Sequence, residues 1–276
     1  MALFAQFLLR LTFGLAAAMW TVSPRLVASG YFRNHLYVTL GTAAMASLLL
    51  GTLGSWGMAA AIVAAVASYA GAVCWLYESP RAGRALLFVV AVAALLAAGL
   101  ADDFQATQTP AYQAAAEAAE EEATVVKPSA AYSQAAAALR GADRFSSGLL
   151  LGAVTASMLL GHWYLNAPGM KLEPLNDLIK VIAVVVVLQA CVSGAALYWL
   201  CGAEGHGWPD TGTLAMIAGR WAFGLVGVAA LAWMARETLK IPNTQSATGI
   251  LYVAVIGAFA GEMLSLMLAA QHAYPL

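Results

Sequence analysis

The sequence predicts an all-α integral membrane protein of about eight transmembrane helices, arranged as two tandem four-helix units. Three observations point there: 62% of residues are hydrophobic and 10% charged, the mean hydropathy is +0.77, and the same punctuation recurs in both halves. Soluble domains carry about 25% charged residues. A chain with so few lacks the polar groups to cover a globular surface, and lipid becomes its solvent. A hydrocarbon core of about 30 Å takes roughly 20 helical residues at about 1.5 Å each. The Ala, Leu, Gly and Val runs lack the alternation of a barrel strand.

Spans are expected at 2–22, 36–53, 57–77, 84–101, 147–166, 177–200, 213–235 and 248–270. The first lacks the basic start of a signal peptide and has a counterpart later in the chain, so it reads as a mature helix. Pro24, Pro80, Pro168, Pro209 and Pro242 fall in the connections, as suits a residue that ends helices. Residues 102–146 have a soluble composition, with AAAEAAEEEA, Pro128 and then SQAAAALR. They read as an acidic, Ala-rich extracytoplasmic loop, either two short surface helices or a disordered tether. A loop of that length caps a bundle or meets a partner. The chain thus divides into a first unit at 1–101, this loop, and a second unit at 147–276.

With eight spans both termini share a side. The opposite side carries Arg25, Arg33, Arg81, Arg84, Lys171, Lys180, Arg236 and Lys240, against Lys127, Arg140 and Arg144 on the terminal side. The positive-inside rule makes the richer side cytoplasmic. Both termini and the loop then face outward across a bacterial inner membrane.

The halves align through Trp20 and Pro24 with Trp163 and Pro168, and through WLYESP at 75–80 with WMARETLKIP at 233–242. Units with an even number of helices keep one orientation, so a pseudo-twofold axis along the membrane normal should relate them, with Trp20 over Trp163 and Trp75 over Trp233. The four tryptophans read as an interfacial aromatic belt. G-x-x-x-G at Gly148/Gly152 and Gly257/Gly261 marks close helix approach.

Three charges fall inside spans: Arg10, Arg220 and Glu262. A charge in hydrocarbon costs about 2.5–3.5 kcal/mol even on insertion scales, so it turns into the bundle and finds a partner. Arg220 and Glu262, on consecutive helices at similar depth, form the expected pair, which reads either as a structural pair fixing helix packing or as the polar element of a quinone, ion or ligand site. Arg10 joins them without an evident partner, and RLTFGL at 10–15 matches RWAFGL at 220–225 across the repeat. His35, His162, His206 and His272, two on each side, read as interfacial or loop histidines, the rival reading being ligands of two b-haems. Cys74, Cys191 and Cys201 lack metal or redox spacing and read as small apolar residues. There is no phosphate loop, zinc motif or nucleophile elbow, and a net charge of −1 offers nothing to nucleic acid.

Eight helices in two four-helix units resembles, in architecture only, the polysulfide-reductase-type quinol subunits; the resemblance carries over no residues. It implies a membrane anchor, in contact with quinone, within a larger respiratory redox complex of several subunits. The alternatives are a secondary transporter or channel, whose sites lie near the midplane between repeats, and a b-type cytochrome.

Overall fold

The computed structural model describes residues 1–51, 56–108, 130–167, 169–199, 201, 209–241 and 243–271, with backbone alone at 102–108 and 130–133. Its elements, among the described residues, are helices, α-helical apart from a π-helical stretch within α7 at Arg220–Gly227: α1 Ala2–Thr21, α2 Ser29–Gly51, α3 Trp56–Leu76, α4 Pro80–Gln108, α5 Ala130–Asn166, α6 Glu173–Tyr198, α7 Thr211–Lys240 and α8 Thr244–Ala269. Seven are long and apolar enough to cross a membrane. The remaining one, α2, is 23 residues long, but its opening Arg33, Asn34 and His35 lower its hydropathy.

Several helices begin earlier than hydropathy suggests. α2 starts seven residues ahead of its expected span because Tyr31 and Phe32 are fully buried there. α5 starts at Ala130 rather than 147. Ala-rich sequence is strongly helical, and Asp143, Ser146 and Ser147 within it are buried against partners. The segment expected as a loop at 102–146 is therefore helix at both ends; residues 109–129 lie outside the described residues. Caps set other boundaries. Asp210 accepts from the Gly212 and Thr213 N–H groups at the start of α7, and Asn243 from the Ser246 N–H at the start of α8, each satisfying donors that a helix start leaves open.

α1 lies at the centre. Leu9, Leu15, Ala16 and Met19 are fully buried, and the helix packs against α2, α4, α5 and α8. α2 continues to α3 and α3 to α4, so α1–α4 close a ring; α5, α6, α7 and α8 close another in the same order. The rings meet along α1 and α5. Those helices run parallel: Arg10 faces Asp143 and Ser147, and further along Gly14 faces Gly148 and Gly152. Sparse polar contacts join other neighbours, such as Gln6 Nε2 to the Ala98 carbonyl at 2.8 Å and Thr39 Oγ1 to Ser68 Oγ at 3.0 Å. Such bonds tie helices where lipid offers no alternative partner.

Both G-x-x-x-G stretches sit at close backbone contacts. A methyl added at Gly14 would overlap the Gly148 carbonyl, and one at Gly152 the Gly14 backbone. On the other seam, a methyl at Gly224 would lie 2.9 Å from the Gly261 Cα and one at Gly257 2.9 Å from the Phe223 carbonyl oxygen.

The tryptophans do not form one belt. Trp20 and Trp233 are exposed, but Trp75 is buried and stacked on Phe32 at 4.1 Å between ring centres. Trp163 packs over Tyr31 and His35. Facing residues on α1 and α5, Gly14 with Gly148 and Gly152, are 134 and 138 positions apart, whereas Trp20 and Trp163 are 143 apart. Trp163 therefore sits roughly 10 Å further along the bundle than Trp20 at about 1.5 Å per residue.

Gly14→Ala should force α1 and α5 apart and destabilise the protein by about 1–3 kcal/mol, the usual cost of overpacking. Gly41→Ala, which meets nothing within 4 Å, should be neutral or stabilising by up to about 1 kcal/mol. Unfolding in mixed micelles compares the two, and equal stability of the variants would refute the backbone contact.

Candidate functional site

Four charged side chains meet inside the bundle. Arg10 Nη1 donates to Asp143 Oδ2 at 2.8 Å, to Glu262 Oε1 at 2.8 Å and to Ser147 Oγ at 2.9 Å. Arg220 Nη2 donates to Asp143 Oδ1 at 3.0 Å, and Gln189 Nε2 donates to the same oxygen at 2.8 Å. Ser147 Oγ lies 3.2 Å from Glu262 Oε1, and Ser146 Oγ donates to Gln189 Oε1. Every member is buried, Asp143 completely. α1, α5, α6, α7 and α8 each contribute.

The level of the site follows from chain positions. Arg10 is eight residues into α1, Arg220 nine into α7, and Glu262 seven before the end of α8, which puts each about 10–14 Å from the nearer helix end at about 1.5 Å per residue. At that depth an uncompensated charge is expensive. Two guanidiniums against two carboxylates leave the cluster formally neutral, and charge-assisted hydrogen bonds replace the lost hydration.

Local sequence makes the meeting possible. Arg10 and Gly14 lie one turn apart on one face of α1, and Arg220 and Gly224 do so on α7. Each glycine lets a neighbouring backbone approach, Gly148 and Gly152 of α5 in one case and Gly261 of α8 in the other. The twin RLTFGL and RWAFGL stretches thus share a pattern, a contact glycine one turn beyond an arginine that bonds Asp143; in α1 both face α5, whereas in α7 the glycine faces α8 and the arginine α5. From Arg220 to Gly227 the backbone of α7 winds as a π-helix, a form that recurs at functional sites.

Beside the charges lies a cavity of about 20 Å³, bordered by Ser147, Gln189, Arg220, Gly224, Gly261 and Glu262 among others. That is room for one water and too little for a quinone ring. Arg220 borders this cavity, and its Nη1 is buried without a hydrogen-bond partner among the described residues.

The three charges singled out in the sequence are brought together, but not in the expected pairing. Among the described residues Arg220 bonds Asp143 rather than Glu262, and Glu262 bonds Arg10. Asp143 was hidden within a segment read as loop. Two features mark it: one intramembrane glutamate leaves an arginine unmatched, and Ala136, Asp143, Ser147 and Leu150 follow helical spacing on a buried face.

The histidines are less convergent. His35 is buried against Tyr31, with ring centres 4.4 Å apart, and near Trp163. His162 is exposed, its Nδ1 3.3 Å from the Tyr252 hydroxyl. His206 and His272 lie outside the described residues. The three cysteines are unpaired, and the described residues contain no group of three or more His, Cys, Asp or Glu placed to hold a metal. No family model, curated protein or solved structure matches the chain.

Asp143→Asn should cost about 3–5 kcal/mol, because both arginines lose a buried counter-charge, whereas Ser146→Ala should cost about 1 kcal/mol. Double-mutant cycles should show larger coupling for Arg220 with Asp143 and for Arg10 with Glu262 than for Arg220 with Glu262. The reverse order of coupling would refute the pairing.

Proposed function

We propose that this protein is a polytopic membrane subunit that relays protons across the seam between two four-helix units, anchored within a larger respiratory redox complex. The buried Arg10–Asp143–Glu262–Arg220 network carries the reading. A single ion pair would suffice to lock two helices; here four charges, two serines, a glutamine and a water-sized cavity are linked across five helices. Ionisable side chains within a bilayer characteristically mark proton and ion pathways. Quinone, in this reading, meets the lipid-facing surface, since the cavity beside the charges is too small for it.

In the same reading α2 is an eighth span, and the units 1–101 and 147–276 are copies related by an axis along the membrane normal. The matching ring order and the parallel course of α1 and α5 support that axis, because an in-plane axis would set equivalent helices antiparallel. The tryptophan register argues that the copies have slid relative to one another. Both termini then face away from the cytoplasm of a bacterial cell, as the Lys and Arg distribution favours, and Arg84, stacked 5.3 Å over the Trp20 ring, anchors the cytoplasmic interface.

One observation favours the second reading, a secondary transporter. The charges sit where the two units meet, level with the π-helical stretch of α7, and transporters place their sites at repeat interfaces on irregular helices.

Tagged protein extracted in mild detergent should bring down redox subunits in fixed stoichiometry, and native membranes bearing Asp143→Asn should lose about tenfold or more of their substrate-driven proton movement. Gradient-driven solute uptake by the lone chain in liposomes would replace this reading with the transporter. For topology, with the native cysteines changed to alanine, Thr211→Cys should label from outside with an impermeant thiol reagent and Lys171→Cys should not. The opposite pattern inverts the orientation.

A further inference from the structure

We infer that Glu262 is the carboxyl that takes up and releases the proton, through one water held between it and Arg220, while Asp143 stays ionised as the fixed counter-charge. This rests on the proton-relay reading and names its acceptor.

The two carboxylates differ in what surrounds them. Asp143 receives Arg10 on Oδ2 and Arg220 with Gln189 on Oδ1. All three neighbours are donors, so a proton added to either oxygen would face N–H groups and have nothing to donate to. Glu262 receives Arg10 and Ser147 on one oxygen, Oε1, which leaves Oε2 outside these bonds, and Glu262 lines the cavity. The same cavity is bordered by Arg220, whose Nη1 is buried and lacks a partner among the described residues. Its volume of about 20 Å³ suits one water, and a buried water needs at least two polar partners. Arg220 Nη1 supplies a donor, and Oε2 supplies an acceptor when ionised or a donor when protonated.

Uptake is a single proton transfer. One O–H bond of a protonated water breaks, its electron pair stays on the water oxygen, and one O–H bond forms at Oε2; release is the reverse. The groups facing Glu262 are Arg10 from α1, Asp143 and Ser147 from α5, Gln189 from α6 across the cavity, and Arg220 from α7. On protonation Arg10 loses an ionic partner yet keeps Asp143, so the helix contacts at Arg10 survive both states. Ser147 can pivot between Arg10 and Glu262, because it bonds both.

Infrared difference spectroscopy on the full-length protein in lipid nanodiscs, titrated with pH, reads the acceptor directly. A protonated-carboxyl C=O band should grow on acidification, shift in D₂O and be missing in Glu262→Gln. Ala258→Val, which fills the cavity without touching a hydrogen bond of the network, should move the midpoint of that band by about one pH unit or more, as removal of the water changes the solvation of Oε2. A band that persists in Glu262→Gln, or none at any pH at which the protein stays folded, overturns the assignment. An unchanged midpoint in Ala258→Val overturns the water. Proton movement in native membranes is read separately: movement without the Glu262 band leaves the relay standing and removes this acceptor, and the band without movement removes the relay.

Discussion

Two arginines reaching one carboxylate decide how five helices of this protein meet. Asp143 takes Arg10 from α1 and Arg220 from α7, with Gln189 from α6, and Arg10 extends the bond to Glu262 on α8. In water such pairs contribute little. In a bundle interior surrounded by lipid each charge must find a partner or be expelled, so the set holds only when it is complete. The network is weak grounds for high stability but a strong constraint on arrangement, since a helix turned or slid by one residue would leave a charge without its counterpart.

Close packing follows from that constraint. An arginine must reach an acid on another helix, and the helices must approach closely for the bonds to form at 2.8–3.0 Å. Glycines provide this on both sides of the site: Gly14 against Gly148 and Gly152 where α1 and α5 run parallel, and Gly224 against Gly261 where α7 and α8 pass. Without a hydrophobic drive between helices in lipid, such backbone contact is a main source of association. The sequence shared by residues 10–15 and 220–225 therefore marks a common contact device rather than a shared place in a repeat.

The proposed proton relay asks for one group that can change charge without dissolving the packing. The division between Asp143, enclosed by donors, and Glu262, bordering a water-sized space, meets that need. Within the π-helical stretch Arg220–Gly227, the Arg220 guanidinium bonds Asp143 of α5 and Gly224 lies against Gly261 of α8.

Composition and hydropathy are enough to set the solvent and the class of the fold. A charge content of 10% fixes lipid as the surroundings, apolar runs of bilayer length fix helices, and charges within those runs must turn inward; that reasoning reached Arg10, Arg220 and Glu262. It also reached the glycine pairs at 148/152 and 257/261, though spacing alone could not name what they touch. It missed Asp143 because hydropathy treats a charged residue in an alanine-rich stretch as a mark of water, and it misread Trp75, whose burial against Phe32 is invisible to composition. Which arginine meets which acid, and whether a tryptophan faces lipid or core, depends on helix rotation and register. Tertiary packing alone decided these, because they are set by contacts between residues as far apart as Arg10 and Glu262, 252 positions along the chain.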